Sequence, residues 1–464
     1  MRTICLYFQI HQPFRLRRFR FFDIGKEHYY YDDYSNESFL RKIADRSYLK
    51  ANKVLLDIIQ KNKDKFKIAF SISGSALDQF ELYAPEVIKS FKVLAETGQV
   101  EFLCETDSHS LASLSNPDEF QRQVLSHRKK IEKYFGQIPT VFSNSELIYS
   151  DQIGEQIANM GFEGIITEGA KHILGWKSPN YLYCSAINPR LKLLLRNFKL
   201  SDDISFRFSN KNWNQYPLTT EKFANWLNHI DKREENVNIF IDYETFGGRQ
   251  SGESGIFEFL KHMPQSIFKL TDYTFSFPTD IIRNQQPVSS ISVPTPISWA
   301  DEERDLTAWL GNDLQKEAFG KLYGLCDLVE KSVDPKIKID WKYLQASDHF
   351  YYMSTKFFTD RPSYTYVNPY ESPYDAFINY MNVLSDFTIR VKKDFKDNIT
   401  EQKVDELIRL LAEKDKEIVK YQNELSKTAQ EIEKPLSTKN KKKIDSEQKN
   451  SEKKSEKKKE TNLI

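Results

Sequence analysis

Short apolar runs alternate with longer amphipathic segments through the first 285 residues of the chain. The apolar runs predict β-strands buried in a parallel sheet, at residues 4–10, 66–73, 100–104, 140–144, 164–167, 181–187, 191–197 and 237–244. The amphipathic segments predict α-helices, at residues 48–61, 77–97, 117–134, 151–160, 218–230 and 256–270, while residues 14–36 are loop-like. Strands that alternate with helices of this length predict βαβ units, and right-handed connections wind about seven such units toward a barrel.

The pattern changes after residue 285, where three prolines mark a linker and helical periodicity follows, at residues 314–331, 341–355 and 376–395. Further on, apolar residues recur every seven positions at Val404, Leu411, Ile418, Leu425 and Ile432. This spacing fits either a single amphipathic helix or a short coiled coil through which the chain self-associates. From residue 434 the composition is Lys, Glu and Ser, which leaves little to bury and predicts disorder.

The predicted organisation therefore has four parts. They are a barrel at residues 1–285, a helical C-terminal region that completes the site at 286–397, an amphipathic or coiled-coil helix at 398–433, and a disordered Lys-rich tail at 434–464.

Composition narrows the class of protein. The 464 residues are 39% hydrophobic, enough for a large core, and the formal net charge of +1 gives no argument for nucleic acid or a membrane surface as a partner. The cysteines (Cys5, Cys104, Cys184 and Cys326) lie far apart without metal-ligand spacing, which favours a reducing compartment over a disulfide framework. The chain shows neither a signal-peptide pattern nor an apolar run of membrane-spanning length, so we expect a soluble, cytoplasmic protein.

Polar side chains collect where the predicted strands end. In chain order they are His11, Glu105, His109, Glu146, Asp242 and Glu244. Because the carboxyl ends of parallel strands meet at one mouth of a barrel, we expect these side chains to lie close together. Each has a structural explanation when taken alone, such as a salt-bridged acid pair, a helix N-terminal acid or a buried histidine. Their shared position in the repeat is what favours a functional site.

Paired carboxylates on different strands, with aromatic residues nearby and no metal-ligand spacing, indicate cleavage of a glycosidic bond. One acid attacks the anomeric carbon, while the other protonates the leaving oxygen and later activates water. A carboxyl separation of about 5–5.5 Å corresponds to retention through a covalent intermediate, and about 6.5–9.5 Å corresponds to inversion. We expect neither a cofactor nor a metal ion.

Five segments spread over roughly residues 1–330 carry a resemblance to a known family. They are His11-Gln12-Pro13, Gly98-Gln99-Val100-Glu101, Ser145-Glu146-Leu147-Ile148-Tyr149, Asp242-Tyr243-Glu244-Thr245-Phe246-Gly247, and Trp299-Ala300-Asp301 with residues 305–309. In this order they resemble glycoside hydrolase family 57, the retaining α-glucan-acting family that includes α-amylases and 4-α-glucanotransferases. The resemblance implies an α/β fold, an incomplete (β/α)7 TIM-like barrel with a helical C-terminal region.

The resemblance also implies roles for individual residues. Glu146 matches the family's nucleophile and Asp242 its general acid/base. Substrate binding is expected of His11, Gln12, His109, Glu244, Trp299 and Asp301. The segment around Glu146 lacks the Trp and Arg that often flank the family's nucleophile, which bears on subsite preference.

Electrostatics predicts a difference between the two acids. Glu244 beside Asp242 should raise the pKa of Asp242 by like-charge repulsion, as a general acid requires. The nucleophile must stay ionised, so we expect hydrogen-bond donors around Glu146.

The predicted function is retaining, α-amylase-like hydrolysis of α-1,4-glucans such as starch and glycogen. A 4-α-glucanotransferase is the alternative within the family. A metal-dependent polysaccharide deacetylase would need a closely spaced histidine pair, and the eight histidines show none. A non-catalytic glycan-binding or scaffold protein, with the tail as its working part, is the remaining alternative.

Overall fold

The computed structural model describes residues 2–356 and 368–456, and within its last helix it describes the side chains of residues 373–397, 404 and 406–428. Contacts within the chain form two compact units, Met1–Lys392 and Lys393–Ile464. In the described ranges, no helix combines the length and apolar character needed to span a membrane. The predicted boundary at residue 285 falls inside the first unit and stays a prediction.

The described residues form strands numbered here in chain order. They are β1 (Arg2–Ile10), β2 (Ile68–Ile72), β3 (Val100–Phe102), β4 (Val141–Ser143), β5 (Gly164–Glu168), β6 (Leu182–Ser185), β7 (Lys192–Arg196), β8 (Asn236–Asp242), β9 (Tyr273–Phe275) and β10 (Ser290–Ile291). The last two are short and were not predicted from the apolar pattern.

A ring of parallel strands forms the barrel wall, in the order β8, β1, β2, β3, β4, β5 and β7. The step from β3 to β4 is made just beyond the end of β3, where Cys104 pairs with Phe142. β6 lies antiparallel to β7, β10 lies parallel to β6, and β9 pairs with the start of β1. The predicted α/β fold, an incomplete (β/α)7 barrel, is confirmed.

The seam between β7 and β8 is joined mainly by side chains. One backbone hydrogen bond crosses it, from Asn197 N to Asn238 O at 2.9 Å. Side chains supply the other bonds: Asn238 Nδ2 donates to Leu195 O and Arg196 Nε donates to Phe240 O, each at 2.8 Å. The ring is thus closed here by polar side chains in place of a regular ladder.

Alternation along β1 shows how the sequence builds the wall. Ile4, Leu6 and Phe8 belong to an apolar cluster with the surrounding helices, whereas Cys5 and Tyr7 belong to a second cluster. The Tyr7 hydroxyl lies 2.7 Å from Ser143 Oγ of β4, a strand not adjacent to β1, so the second face points into the barrel. A strand buried on both faces therefore reads as the continuous apolar run seen in the sequence.

The described residues also form helices, which are numbered here in chain order. They are α1 (Asp33–Ile43), α2 (Leu49–Asn62), α3 (Gly74–Tyr83), α4 (Pro85–Glu96), α5 (Pro117–Phe135), α6 (Asp151–Asn159), α7 (Lys171–Leu174), α8 (Phe198–Asp202), α9 (Thr220–Asn228), α10 (Ile256–Leu270), α11 (Pro278–Asn284), α12 (Thr307–Leu310), α13 (Asp313–Tyr323), α14 (Cys326–Glu330), α15 (Pro335–Leu344), α16 (Ser347–Tyr351) and α17 (Pro373–Glu456). Two π-helical turns follow α1 and α8, at Ala44–Tyr48 and Asp203–Arg207.

Local chemistry sets several helix ends. Asn116 caps α5 by accepting from two backbone N–H groups, Pro117 occupies its first position, and Gly136 ends it with φ 67°. The predicted helix at 77–97 is wrong in one respect: Pro85 has no N–H to continue the ladder, so α3 ends and α4 begins there. Asp32 similarly caps α1 inside the segment expected to be a loop.

The second unit is helical as far as Glu456. The disorder predicted from residue 434 stays a prediction. Its described side chains from residue 404 to 428 are exposed. Residues 457–464 of the predicted tail lie outside the described residues.

Candidate active site

A cavity of about 270 Å³ opens where the barrel strands end. Its lining consists of Gln9, His11, Gln12, Pro13, Phe39, Ile43, His109, Glu146, Asp242, Glu244, Gly248, Arg249, Trp299 and Asp348. All the predicted site residues except Asp301 are therefore brought together. The lining joins residues of β1, the end of β8, α1, α16 and several loops, so it depends on folding of the whole first unit.

Glu146 is held in an unusual backbone conformation directly after β4. Its φ is 56° and that of Leu147 is 52°, in the left-handed region that non-glycine residues seldom occupy. The tight turn is fixed by backbone bonds from Leu147 N to Asn144 O and from Ile148 N to Ser145 O, both 3.0 Å. Such strain persists only where the surroundings over-determine it, and here it accompanies a carboxylate that lines the cavity.

The Glu146 carboxylate is met by donors from distant parts of the chain. Trp299 Nε1 donates to Oε2 at 2.7 Å, and Ser347 Oγ donates to Oε1 at 2.9 Å. His109 Nε2 lies 3.5 Å from the same Oε1. Donors and a positive charge favour the ionised carboxylate, which is the state a nucleophile needs.

His109 is the positive charge beside this carboxylate. Burial alone would lower the pKa of His109, but the hydrogen bonds and charges of Glu105 and Glu146 raise it to about 10. Glu105 Oε2 lies 3.1 Å from His109 Nδ1 and also accepts from Gln9 Nε2 at 3.3 Å. At neutral pH His109 is therefore a protonated imidazolium between two acids.

His11 stacks on His109, with ring centroids 4.1 Å apart and planes 21° from parallel. Burial and the neighbouring charge of His109 lower the pKa of His11, so its ring is neutral. The ring nitrogens have protein partners: Nδ1 lies 2.7 Å from Ser73 Oγ and Nε2 lies 2.8 Å from Asp348 Oδ2. Burial would raise the pKa of Asp348, but the interactions with His11 and His109 lower it to about 2, so this carboxylate is ionised. An ionised carboxylate can only accept, and His11 is therefore assigned the tautomer in which Nε2–H donates to Asp348.

The two acids at the C-terminal end of β8, Asp242 and Glu244, have separate partners. Asp242 ends β8, and Arg249 Nη2 donates to its Oδ2 at 2.8 Å. Glu244 accepts from the Tyr48 hydroxyl and from Gln12 Nε2, the latter at 3.3 Å. Burial, and then the charge of Asp242, raises the pKa of Glu244 to about 7. The raised pKa that the sequence predicts for Asp242 stays a prediction.

The glycines after these acids are needed for close approach. Gly247 has φ 91°, and a Cβ there would lie 2.0 Å from the backbone oxygen of Arg46. Arg46 belongs to the π-helical turn that also carries Tyr48, the partner of Glu244. The glycine therefore lets the turn after β8 pack directly on this segment.

Asp301 is the predicted site residue that the cavity lining does not include. It is buried with φ 50°, and Lys356 Nζ lies 3.1 Å from its Oδ2. Trp299, two residues before Asp301, does line the cavity, so the Trp299-Ala300-Asp301 motif contributes its indole side chain to the site. The substrate-binding role predicted for Asp301 stays a prediction.

Several cavity residues were missed from the sequence. Arg249 follows the Gly-Gly pair directly and Gln9 precedes His11 by two positions on β1, so the strand-end rule extended by a few residues finds both. Asp348, which lines the cavity, and Ser347, which donates to Glu146, come from α16, about two hundred residues after Glu146, and no motif or strand end marks them. Among residues 2–356 and 368–456, no three His, Cys, Asp or Glu side chains are grouped to hold a metal ion.

Comparison with known proteins gives a consistent assignment. Residues 5–294 match the family model described as Glycosyl hydrolase family 57. A relative from Methanocaldococcus jannaschii, named "Putative alpha-amylase", is 38% identical over 406 residues, which cover 84% of this chain and 85% of the relative.

Solved structures share the fold at low identity. A family 57 branching enzyme from Thermococcus kodakaraensis has a TM-score of 0.62 at 12% identity and covers 86% of this chain and 91% of its own. A 4-alpha-glucanotransferase from Thermococcus litoralis has a TM-score of 0.58 at 13% identity, over 75% of this chain and 56% of its own, so this chain spans about half of that protein. From the family match and the close relative, the chain belongs to glycosyl hydrolase family 57 and is a glycoside hydrolase.

Proposed function

We propose that this glycoside hydrolase cleaves α-1,4-glucans such as starch, glycogen and maltodextrins by a retaining mechanism, with Glu146 as nucleophile and Asp242 as general acid/base. The observation that carries the proposal is that these two acids, far apart in sequence, line one cavity together with Trp299. The relative's alpha-amylase name supports the substrate class.

The proposed first step transfers a glucosyl chain to the enzyme. A Glu146 oxygen attacks the anomeric carbon while Asp242 donates its proton to the leaving glycosidic oxygen, so the C–O bond breaks as the ester bond forms. The Trp299 and Ser347 donors favour the ionised Glu146 that begins this step. In the second step Asp242 takes a proton from water, and the water oxygen displaces Glu146 from the anomeric carbon with net retention.

A hydrogen bond from Arg249 supports the role proposed for Asp242. Arg249 Nη2 donates to Asp242 Oδ2 at 2.8 Å, which fixes the carboxyl group at the cavity wall. The guanidinium also stabilises the negative charge that Asp242 carries after it has given its proton to the leaving glycosidic oxygen.

The cavity residues beyond the two acids are proposed to bind and orient the sugar. They are His11, Gln12, His109, Glu244 and Trp299. The charged His109 is suited to donate to a sugar oxygen or to the attacking carboxylate. Trp299 presents an indole, the kind of aromatic side chain that combines an apolar face with a polar N–H.

Product analysis with purified full-length chain tests the proposal. Incubation with maltoheptaose should release shorter maltooligosaccharides that carry new reducing ends. Products longer than the donor would establish the alternative, a 4-α-glucanotransferase, which the fold of the Thermococcus litoralis enzyme makes relevant. No action on maltoheptaose, starch or glycogen would overturn the α-1,4-glucan assignment.

Substitution of each acid tests the assigned roles. Glu146→Gln and Asp242→Asn should each lower kcat on maltoheptaose by about 10³-fold or more, because each removes a group that the covalent route requires. Glu101→Gln is the matched control, since Glu101 hydrogen-bonds Thr279 and lies outside the cavity lining. Folded Glu146→Gln or Asp242→Asn protein with near-parent activity would refute the assignment.

We also propose that the second unit mediates self-association. Apolar side chains at Val404, Leu411, Ile418 and Leu425 are exposed at seven-residue spacing, the pattern of a coiled-coil seam. Sedimentation equilibrium of the full chain and of a chain ending at residue 397 tests this. The same number of chains per particle in both proteins would refute it.

The four cysteines are buried and unbridged, which supports action in a reducing compartment such as the cytoplasm.

A further inference from the structure

Two surface cavities adjoin outside the catalytic cavity, beside α8, the π-helical turn after it and α9. The first, of about 590 Å³, includes Trp213, Gln215 and Trp226 in its lining, and the second is about 790 Å³. Both are lined by Phe198 and Arg207. We call the joined depression the α8–α9 groove. Neither cavity shares a residue with the lining of the catalytic cavity.

Aromatic rings form part of the first cavity's lining. The Trp213 and Trp226 ring centroids are 6.0 Å apart with planes at 74°, so the two indoles present differently oriented faces. Both side chains are half-buried, as is Phe198, and each keeps part of its surface accessible. Removing such accessible apolar surface from water lowers the free energy of the complex. The C–H faces of a glucosyl ring can stack on these aromatic side chains and bury them.

Polar groups stand beside these rings. Arg207 Nη1 donates to Asp203 Oδ1 at 2.7 Å, and both side chains retain some exposure. A guanidinium fork and a carboxylate together offer donors and acceptors at fixed spacing, which suits neighbouring hydroxyls of a sugar. Gln215 adds an amide at the same cavity. Rings with adjacent hydrogen-bonding groups match the alternating apolar and hydroxylated surfaces of a glucan.

The charge of the groove is balanced, which bears on the class of ligand. With each residue of the two cavities counted once, the cationic side chains of Lys or Arg equal the acidic ones in number. The cationic ones are Lys171, Lys199, Arg207 and Arg304, and the acidic ones are Asp202, Asp203, Glu302 and Glu303. A polyanion such as a nucleic acid requires an excess of positive charge. A neutral, hydroxylated polymer does not.

Two sets of contacts connect residues of the groove, or next to it, with residues of the catalytic cavity. Arg304 lines the groove and donates to the backbone carbonyl of Trp299. Phe206, next to Arg207, lies under the guanidinium of Arg249 at 4.6 Å, and Arg249 holds Asp242. At about 270 Å³ the catalytic cavity is smaller than the roughly 300–1,000 Å³ of common small-molecule sites. A long glucan must therefore run over the neighbouring surface.

We propose that the α8–α9 groove is a secondary α-glucan-binding site, which holds one stretch of a polymer while another stretch enters the catalytic cavity. The identity of its ligand rests on the proposed function. Two contacts on one polymer make the second binding event intramolecular and raise the effective concentration of substrate at the catalytic cavity. The groove therefore strengthens action on glycogen and leaves action on maltotriose unchanged.

Binding is tested by affinity electrophoresis of the full chain through gels that contain glycogen. All proteins carry Glu146→Gln so that glycogen is not consumed. Trp213→Ala should weaken glycogen binding about three- to tenfold, as expected for the loss of one aromatic contact. Lys199→Ala combined with Gln215→Ala changes only exposed side chains of the groove, and it should weaken binding without affecting the fold. Phe22→Ala removes an aromatic side chain that is 76% exposed elsewhere, and it is the matched control.

A second measurement separates this proposal from the proposed function. With Glu146 intact, the groove variants should retain the parent's kcat/KM on maltotriose and lose about three- to tenfold of kcat/KM on glycogen. Glycogen binding equal to that of the parent in both groove variants would overturn the groove while leaving the proposed function intact. Groove-dependent glycogen binding by a chain that cleaves no α-glucan would overturn the proposed function and leave the groove standing.

Discussion

Replacing Trp299 with Phe removes one hydrogen-bond donor to Glu146, the proposed nucleophile. The indole N–H donates to Glu146 Oε2 at 2.7 Å, and both residues are buried, with 4% and 8% of their surface exposed. Phe keeps an aromatic ring at the cavity wall while leaving the carboxylate oxygen without this donor. The Ser347 hydrogen bond to the other oxygen remains.

The size of the effect follows from the kind of hydrogen bond. A hydrogen bond to a charged group contributes about 1.5–3 kcal/mol, and one pH unit of protonation equilibrium corresponds to about 1.36 kcal/mol. Loss of the Trp299 donor should therefore move the acid limb of the kcat/KM profile upward by about 1–2 pH units. On the acid side of the optimum this is a loss of about 10–100-fold, whereas the basic limb, which reports a different group, should stay in place.

The assay is kcat/KM on maltoheptaose measured across the pH range for parent and variant. Trp309→Phe is the matched control, because Trp309 is a fully buried indole whose Nε1 has no hydrogen-bond partner among the described residues. Its acid limb should coincide with that of the parent. An unshifted acid limb in folded Trp299→Phe protein would show that this donor does not stabilise the ionised form of Glu146.

Two further predictions concern stability. Because the pKa of Glu244 is raised to about 7, its protonated form stabilises the fold below the ordinary value of 4.5, and this contribution is lost as pH rises through 7. The unfolding free energy of the parent should thus fall by roughly 3 kcal/mol relative to Glu244→Gln between pH 4.5 and 8 in urea titrations, and parallel profiles would contradict it. Gly74→Ala should destabilise by about 1–3 kcal/mol or more, since its Cβ would lie 2.6 Å from the backbone oxygen of Asp107. In the same titrations Gly320→Ala, whose Cβ meets nothing within 4 Å inside α13, should stabilise by about 0.5–1 kcal/mol, and equal effects of the two would refute the steric argument.

The barrel could be predicted because its strands are buried on both faces. In β1 and β8 both faces need apolar side chains, so the run is visible without any knowledge of partners. The acids Glu146 and Asp242 were visible for the same reason, since each interrupts or follows such a run. Helix ends were harder, as Pro85 shows: the amphipathic period continued past it, while the missing N–H divided the helix in two.

Contacts made by tertiary folding could not be predicted. From α16, Ser347 donates to Glu146 and Asp348 lines the cavity, and nothing near them in sequence distinguishes them from ordinary polar helix residues. Asp301 lies outside the cavity lining and its side chain meets Lys356, so the role that its motif predicts stays a prediction. The hydroxyl partner of Glu244 also depends on a tertiary contact, because Tyr48 lies far from Glu244 in the chain.

Covalent labelling identifies the residue that attacks the anomeric carbon. The full chain is incubated with a fluorinated maltosyl fluoride, whose glycosyl-enzyme intermediate breaks down slowly, and its peptides are then analysed by mass spectrometry. We expect a glycosyl adduct on the peptide that contains Glu146 and none in Glu146→Gln protein. An adduct on Asp242 or any other residue, or turnover without an adduct, would rule out Glu146 as the nucleophile of a retaining mechanism.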